Sequence, residues 1–299
     1  MKKLSIIFFS LILASSAFAS DQWKKNLFKI PDDQWAAGST KEKAQYPGGQ
    51  YMYIIQPLKE KKLFKKELSD MIFIQSGVLN LNSNKLKIKG FYISRYLTSY
   101  LNYNSYLNSI DKYYPDVDAE GSPTSNGNYP AKLSFKNSQN YCQWLAKKTG
   151  LPFALPTMEQ WLYAATSRGT NWDYPTENGE IEFGKNFPMP PKKNSFDIAL
   201  PVNDLPVNSL GIHQFYGNGM QWTKTSLTDE SRAMFRVSDQ FENGLIIAAG
   251  TSRSDSKNLI KDEPLNSDFL HAYDMNAGST FGGGAFRCVI NTDKPLPKV

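Results

Sequence analysis

Side chains able to do redox, metal or nucleophilic chemistry are scarce in this sequence. Its 299 residues hold two histidines, His213 and His271, and two cysteines, Cys142 and Cys288. No C-x-x-C, H-x-x-x-H or paired-histidine spacing occurs, so the residues sketch neither a zinc centre nor a non-haem iron centre. A G-x-S-x-G elbow and a phosphate-cradling loop are absent too. Each histidine reads most simply as a solvent-facing or hydrogen-bonded imidazole. One hint of a hard-cation site remains: Asp116, Asp118 and Glu120 alternate in the polar loop 113–130. Clustered carboxylate oxygens suit calcium. The rest of an EF-hand-like pattern is missing, and a solvated loop accounts for the same residues.

The compartment decides how the cysteines are read. Residues 1–19 carry Lys2 and Lys3, an apolar run from Leu4 to Ala14, and a small-residue site at Ala17-Phe18-Ala19. That is the form of a secretory signal peptide cleaved after Ala19. The apolar run falls short of the ~20 residues a bilayer span needs, no second such run follows, and no cysteine follows the cleavage site to accept a lipid. The expected location is the periplasm or the exterior, with no integral membrane segment after cleavage. In an oxidising compartment an even cysteine count favours a disulfide over two buried thiols. Removing the signal lowers the formal charge from +6 to +4, a mild balance without a basic stripe interleaved with aromatics. Nucleic acid is therefore not an expected partner.

The elements that must position these residues centre on 133–168. Ser138, Tyr141, Cys142 and Leu145 are spaced as one buried helical face. Lys147 and Lys148 in the last turn, then Gly150, end that helix. Thr157 and Gln160 form a T-x-x-Q capping box for a second helix, whose stripe is Met158, Trp161, Leu162 and Ala165. Glu159, Tyr163 and Thr166 are expected on other faces. Upstream, 71–83 suggests two short strands broken by Gly77, and Leu86 and Ile88 alternate as in a strand. Tyr96, Tyr100, Tyr103 and Leu107 fit a helical face, with Tyr106 beside it. Residues 20–70 are lysine-rich, with one candidate strand at 51–55, and read as an N-terminal extension with a solvated lysine face. Prolines 175, 188, 190, 191 and 201 leave 172–203 irregular, and 225–285 has a similar texture.

Several of these stretches carry a resemblance. The string S-F-x-x-S-x-x-Y-C-x-W followed by L-P-T-x-x-x-W-x-Y-A-A, within 134–165, resembles the core signature of the formylglycine-generating enzyme (sulfatase-modifying factor) family. It includes Trp144, Leu155, Pro156, Thr157 and Trp161. Residues 77–83 resemble the family's opening strand, and 91–106 its F-x-I-x-x-Y segment. Residues 206–222, with Gly217, Asn218 and Trp222, resemble P-N-x-x-G-L-Y-D-M-x-G-N-V-x-E-W. Residues 250–252 stand where G-G-S is usual, and A-F-R-C-V, with Phe286 and Arg287, resembles the closing G-F-R. The blocks fall in family order across 71–290.

The resemblance implies an α+β, C-type-lectin-like fold: one loop-rich domain, 71–299, low in regular secondary structure. It implies a structural disulfide between Cys142 and Cys288. Catalytic relatives oxidise a sulfatase cysteine using a copper-binding cysteine pair. Aligned on Arg287, that pair falls on Gly278 and Gly283, which offer soft Cu(I) no thiolate. Copper and the oxidase activity are thus not expected. Calcium stays an open but weak candidate, because Gln214 and Gln221 replace family carboxylates and an amide is a poorer ligand for a hard dication. The expected protein is a catalytically inactive, exported family member that binds a protein partner in the cell envelope. The resemblance suggests an immunity, regulatory or accessory role in type VI secretion. Two alternatives remain: an oxidoreductase-like enzyme of the family with altered chemistry, or a lectin-like module that binds carbohydrate or cell wall.

Overall fold

The computed structural model describes residues 43–45, 51–53, 57–81, 84–112, 127–170, 174–190, 199–251, 270–273 and 283–298. The expected signal peptide, the loop carboxylates Asp116, Asp118 and Glu120, and Gly278 lie outside them. The elements are β1 (Lys43–Gln45), β2 (Tyr51–Tyr53), α1 (Glu60–Ser69), β3 (Met71–Ile74), β4 (Gly77–Leu81), β5 (Asn84–Ile88) and β6 (Phe91–Ser94). They continue with α2 (Tyr100–Ser109), α3 (Phe135–Thr149), β7 (Phe153–Ala154), α4 (Met158–Ala165), β8 (Gln221–Ser226), α5 (Asp229–Phe235), β9 (Ile246–Ala249), β10 (Leu270–Tyr273) and β11 (Val289–Ile290). His271 stands in β10. All strand pairs are antiparallel: a four-stranded sheet β3-β6-β11-β7, a three-stranded sheet β10-β9-β8, and the hairpins β1-β2 and β4-β5. This is the expected α+β architecture.

The two central helices form where their local signals place them. Ser134 caps α3 through its hydroxyl, which accepts from Asn137 N, and Gly150 takes the left-handed cap at φ +71°. The α3 stripe Ser138, Tyr141, Cys142 and Leu145 is buried. In α4 both halves of the Thr157/Gln160 capping box are made. The helix is then pinned to β8, where Thr225 Oγ1 accepts from Met158 N at 2.8 Å and Pro156 O accepts from Lys224 N at 2.8 Å. One expectation fails here. Tyr163 and Thr166 are buried, at 2% and 8% exposure. The cause is that α4 packs against β5, β8 and β9, so little of its surface is left to water.

Cys142 on α3 and Cys288 beside β11 form a disulfide, with Cα atoms 5.8 Å apart and 146 residues between them in sequence. Around it α1, α2 and α3 assemble an aromatic layer. Tyr106 packs 5.1 Å from Trp144 and 5.5 Å from Tyr141, Phe64 lies 5.3 Å from Trp144, and Tyr141 meets Phe286 at 5.7 Å. Tyr100, Tyr103, Tyr106 and Leu107 are buried as the spacing predicts, while Tyr96 precedes the helix.

Residues 57–70 pack on the domain. The lysines Lys61, Lys62 and Lys65 are exposed, but Leu63 and Glu67 turn inward on the opposite side of α1, and Leu58 just before the helix is buried too. α1 thereby shares one packed layer with α2 and α3. Residues 225–285 are more regular than their texture suggests, since they contain α5, β9 and β10. Thr228 and Ser231 give α5 its own capping box.

Candidate functional site

The residues that carry the resemblance converge on a buried polar hub. Arg287 is fully buried and has no carboxylate partner among the described residues. Its guanidinium is instead solvated by the fold. Nε donates to Gln221 Oε1 at 3.0 Å, Nη1 to the carbonyls of Ser94 and Arg95, and Nη2 to those of His213 and Gln214. The Phe215 ring covers it at 4.6 Å. Burial pushes its pKa down to about 9, so it stays charged at neutral pH. Carbonyl dipoles replace the counter-ion that a buried charge ordinarily needs.

Gln221 is the second centre of the hub. Its Oε1 also accepts from Trp161 Nε1 at 3.2 Å, and its Nε2 donates to the carbonyls of Gln214 and Phe215. Asn218 donates to Gln214 Oε1 and to Leu200 O, and its own oxygen accepts from Leu200 N. Gln214 Nε2 donates to Pro201 O. Every side-chain oxygen of Gln214, Asn218 and Gln221 is thus engaged. A calcium ion needs six to eight oxygen donors with free lone pairs, and here amide N–H groups fill the space between them. These residues do not fit calcium. The described residues hold no cluster of three or more His, Cys, Asp or Glu placed to bind a metal ion.

Copper fares no better. Both cysteines are spent in the disulfide, so the chain has no thiolate left for a soft metal. At Gly283 the backbone has φ +70°, and an added Cβ would meet Leu133 N at 2.7 Å and the Lys132 carbonyl carbon at 2.8 Å. The backbone of Lys132–Leu133 therefore occupies the place a cysteine side chain would take. Gly284 is closed in the same way by the Trp222 indole, 2.6 Å from an added Cβ. Gly283 and Gly284 let the segment 283–285 lie directly on Leu133, where Leu133 and Gly284 exchange both backbone hydrogen bonds at 2.9 Å.

Two titratable groups near the hub are not used by the core. Lys132 lies beside Gly219, where an added Cβ would be 3.6 Å from its Cε. Its Nζ has no hydrogen-bond or ion-pair partner among the described residues, and burial lowers its pKa. His213 is half-buried, its ring packed at a tilt against Tyr96 with centroids 4.8 Å apart. Its Nδ1 lies 2.9 Å from Asp204 O. A carbonyl only accepts, so Nδ1 carries the proton and Nε2 the lone pair. Burial, then Asp204 O against Arg287 and Arg95, leaves the pKa below the usual histidine value. The sequence singled out neither as functional. For Lys132 a signal existed: it is a lone lysine in the otherwise apolar run Pro130-Ala131-Lys132-Leu133.

The fold-signature residues fall into two groups, one in or beside the hub and one around the disulfide. Trp161, Gln221, Asn218 and Arg287 share the hub, and Trp222 Nε1 donates to Leu133 O at 2.8 Å. Gly217 takes φ +83° with its N–H on Thr251. Leu155, Trp144 and Phe286 lie in the core around the disulfide, Pro156 joins α4 to β8, and Thr157 caps α4.

Comparison with known proteins identifies this arrangement. Residues 56–292 match the Sulfatase-modifying factor enzyme 1-like domain. The chain belongs to this family. The match begins just before α1, in agreement with the packing of that helix into the domain. Among solved structures, the formylglycine-generating-enzyme-like fold recurs in PvdO from Pseudomonas aeruginosa, at 18% identity and a TM-score of 0.54, covering 74% of this chain and 93% of that one. Treponema denticola variable protein 1 is similar at 14% identity and 0.53, covering 74% and 95%. CarF is similar at 16% and 0.50, covering 75% and 98%. At these identities the likeness shows the fold alone. No curated protein matches the sequence.

Proposed function

We propose that this protein is an exported, catalytically inactive member of the family that acts as a protein-binding module in the periplasm. The observation that carries the reading is the fate of the sulfur. Cys142 and Cys288 are joined to each other, and the backbone at Gly283 leaves no room for a third thiol. The polar hub that could otherwise host a cation is closed by its own amides. What remains is a rigid, disulfide-stapled scaffold. Export rests on residues 1–19, and an immunity, regulatory or accessory role in type VI secretion rests on the family resemblance.

The test is affinity capture from periplasmic extract with the mature chain from Ser20, with metal analysis of the same sample. One stoichiometric protein partner without copper or iron supports the module. A tightly held redox metal and no partner would sink it. One observation favours a second reading, an enzyme with altered chemistry: Lys132 is a desolvated amine beside Gly219 with no partner among the described residues, and the His213 tautomer leaves the lone pair on Nε2. Loss of a measured turnover in Lys132→Met would favour that reading. The lectin-like alternative draws less support, because no Tyr or Trp among the described residues is exposed.

A further inference from the structure

The hairpin β4-β5 has an open edge. Among the described residues β5 pairs only with β4, and no backbone group from Asn84 to Gly90 bonds to any other part of the described backbone. Such an edge is a template for one more strand. A groove of about 850 Å³ runs along it, lined by every residue from Lys85 to Gly90. Its other walls are Gln75 and Ser76, the start of α4, and the segment Asn291–Asp293. Phe73, packed 4.9 Å from Tyr92 and 44% exposed, gives the groove an apolar patch.

The charge pattern narrows the occupant. Lys85 and Lys87 share one face of β5 and Lys89 continues the alternation, while Leu86 and Ile88 face the core. All three lysines are exposed, and none forms an ion pair among the described residues. Glu159 and Asp293 lie on the other walls. Edge lysines repel an identical strand, which disfavours a second copy of this chain. The same lysines favour a strand with carboxylates at every second position, because opposite charges directly across a strand pair stabilise it.

We propose that the groove beside β5 receives an extended acidic segment of the partner protein as a third strand of the β4-β5 hairpin. The proposal rests on the protein-binding reading above and locates its site. The probe is the peptide acetyl-(Glu-Val)3-Glu-amide, with a counterpart in which every Glu is Lys. Both are titrated into the mature protein while hydrogen exchange is followed. The acidic peptide is expected to bind about tenfold tighter than the basic one, from three favourable cross-strand pairs, and to slow exchange within 84–90. The triple variant Lys85→Glu, Lys87→Glu, Lys89→Glu, checked for an unchanged thermal midpoint, is expected to reverse the preference. Absence of binding, unchanged exchange at 84–90, or the same preference in the triple variant would overturn the proposal. Capture of a periplasmic partner equally well by the triple variant would also overturn it, while leaving the protein-binding reading in place.

Discussion

Glu67 is the most consequential polar side chain of α1. It is 3% exposed, and its Oε1 accepts from both Asn102 Nδ2 and Tyr141 Oη, the latter at 2.8 Å. It therefore ties α1 to α2 and α3 through one oxygen. Glu67→Ala leaves two buried donors without an acceptor, each costing about 1–3 kcal/mol, with a small cavity in addition. The expected loss is roughly 3–5 kcal/mol, read as a fall in thermal midpoint of ~6–15 °C. Glu67→Gln behaves differently, because an amide oxygen can serve both donors. Burial is the main influence on the carboxyl and raises its pKa; Tyr141, Lys66 and Asn102 lower it and Asp70 raises it, without reversing the result. The folded state thus prefers the protonated acid. The stability linked to Glu67 is fully present below the ordinary carboxylate range and is lost as pH rises through the elevated folded value. Glu67→Gln, which cannot ionise, should match the wild type at acid pH and exceed it increasingly toward neutrality. Urea melts of the three proteins between pH 4 and 8 measure both effects. The reasoning is refuted if Glu67→Ala lies within 1 kcal/mol of the wild type (well below the estimate from its two donors), or if Glu67→Gln keeps the wild-type pH slope.

Three other outcomes follow from the same geometry. A chain starting at Met71 should fail to give a cooperative melt, whereas one starting at residue 56 should fold, because only the latter keeps Leu58, Leu63 and Glu67 in the helical layer. Gly283→Cys should lower stability by at least ~2 kcal/mol, since the φ of +70° and the contact with the Lys132–Leu133 backbone both oppose a side chain; copper titration should show no new tight site. Replacing Cys142 and Cys288 together by Ala should cost up to ~5 kcal/mol in the chain-entropy account of a loop this long, and reducing agent should lower the wild-type melting midpoint but not the variant's.

Much of the centre of this fold is written locally. The α3 stripe, its Gly150 stop and the Thr157/Gln160 box depend on residues three, four and seven apart, so they are visible before any tertiary contact is known. Two-residue alternation marks Leu86 and Ile88, which lie in β5, while the two strands expected over 71–83 are present but break at Gln75-Ser76, with Gly77 opening β4. The family followed from motifs in a fixed order. The cysteine pairing was legible through that resemblance, and the structure bridges the same two residues.

Tertiary structure decided the rest, for reasons that no short window carries. Periodicity alone does not tell how many partners a helix meets, so Tyr163 and Thr166 turned inward once strands lay on several sides of α4. A lysine-rich segment reads as solvated because most of its positions are, yet Leu63 and Glu67 on one face of α1 are enough to bind it to the core. The composition of Arg287's environment was also invisible. Its charge is met by carbonyls of Ser94, Arg95, His213 and Gln214, from parts of the chain up to 193 residues away. The sequence alone thus determined the central elements and the family. Which backbone edge and which amine lack partners among the described residues, and which amides closed the hub, were set by the packing of distant segments, because burial and hydrogen-bond satisfaction depend on the whole fold.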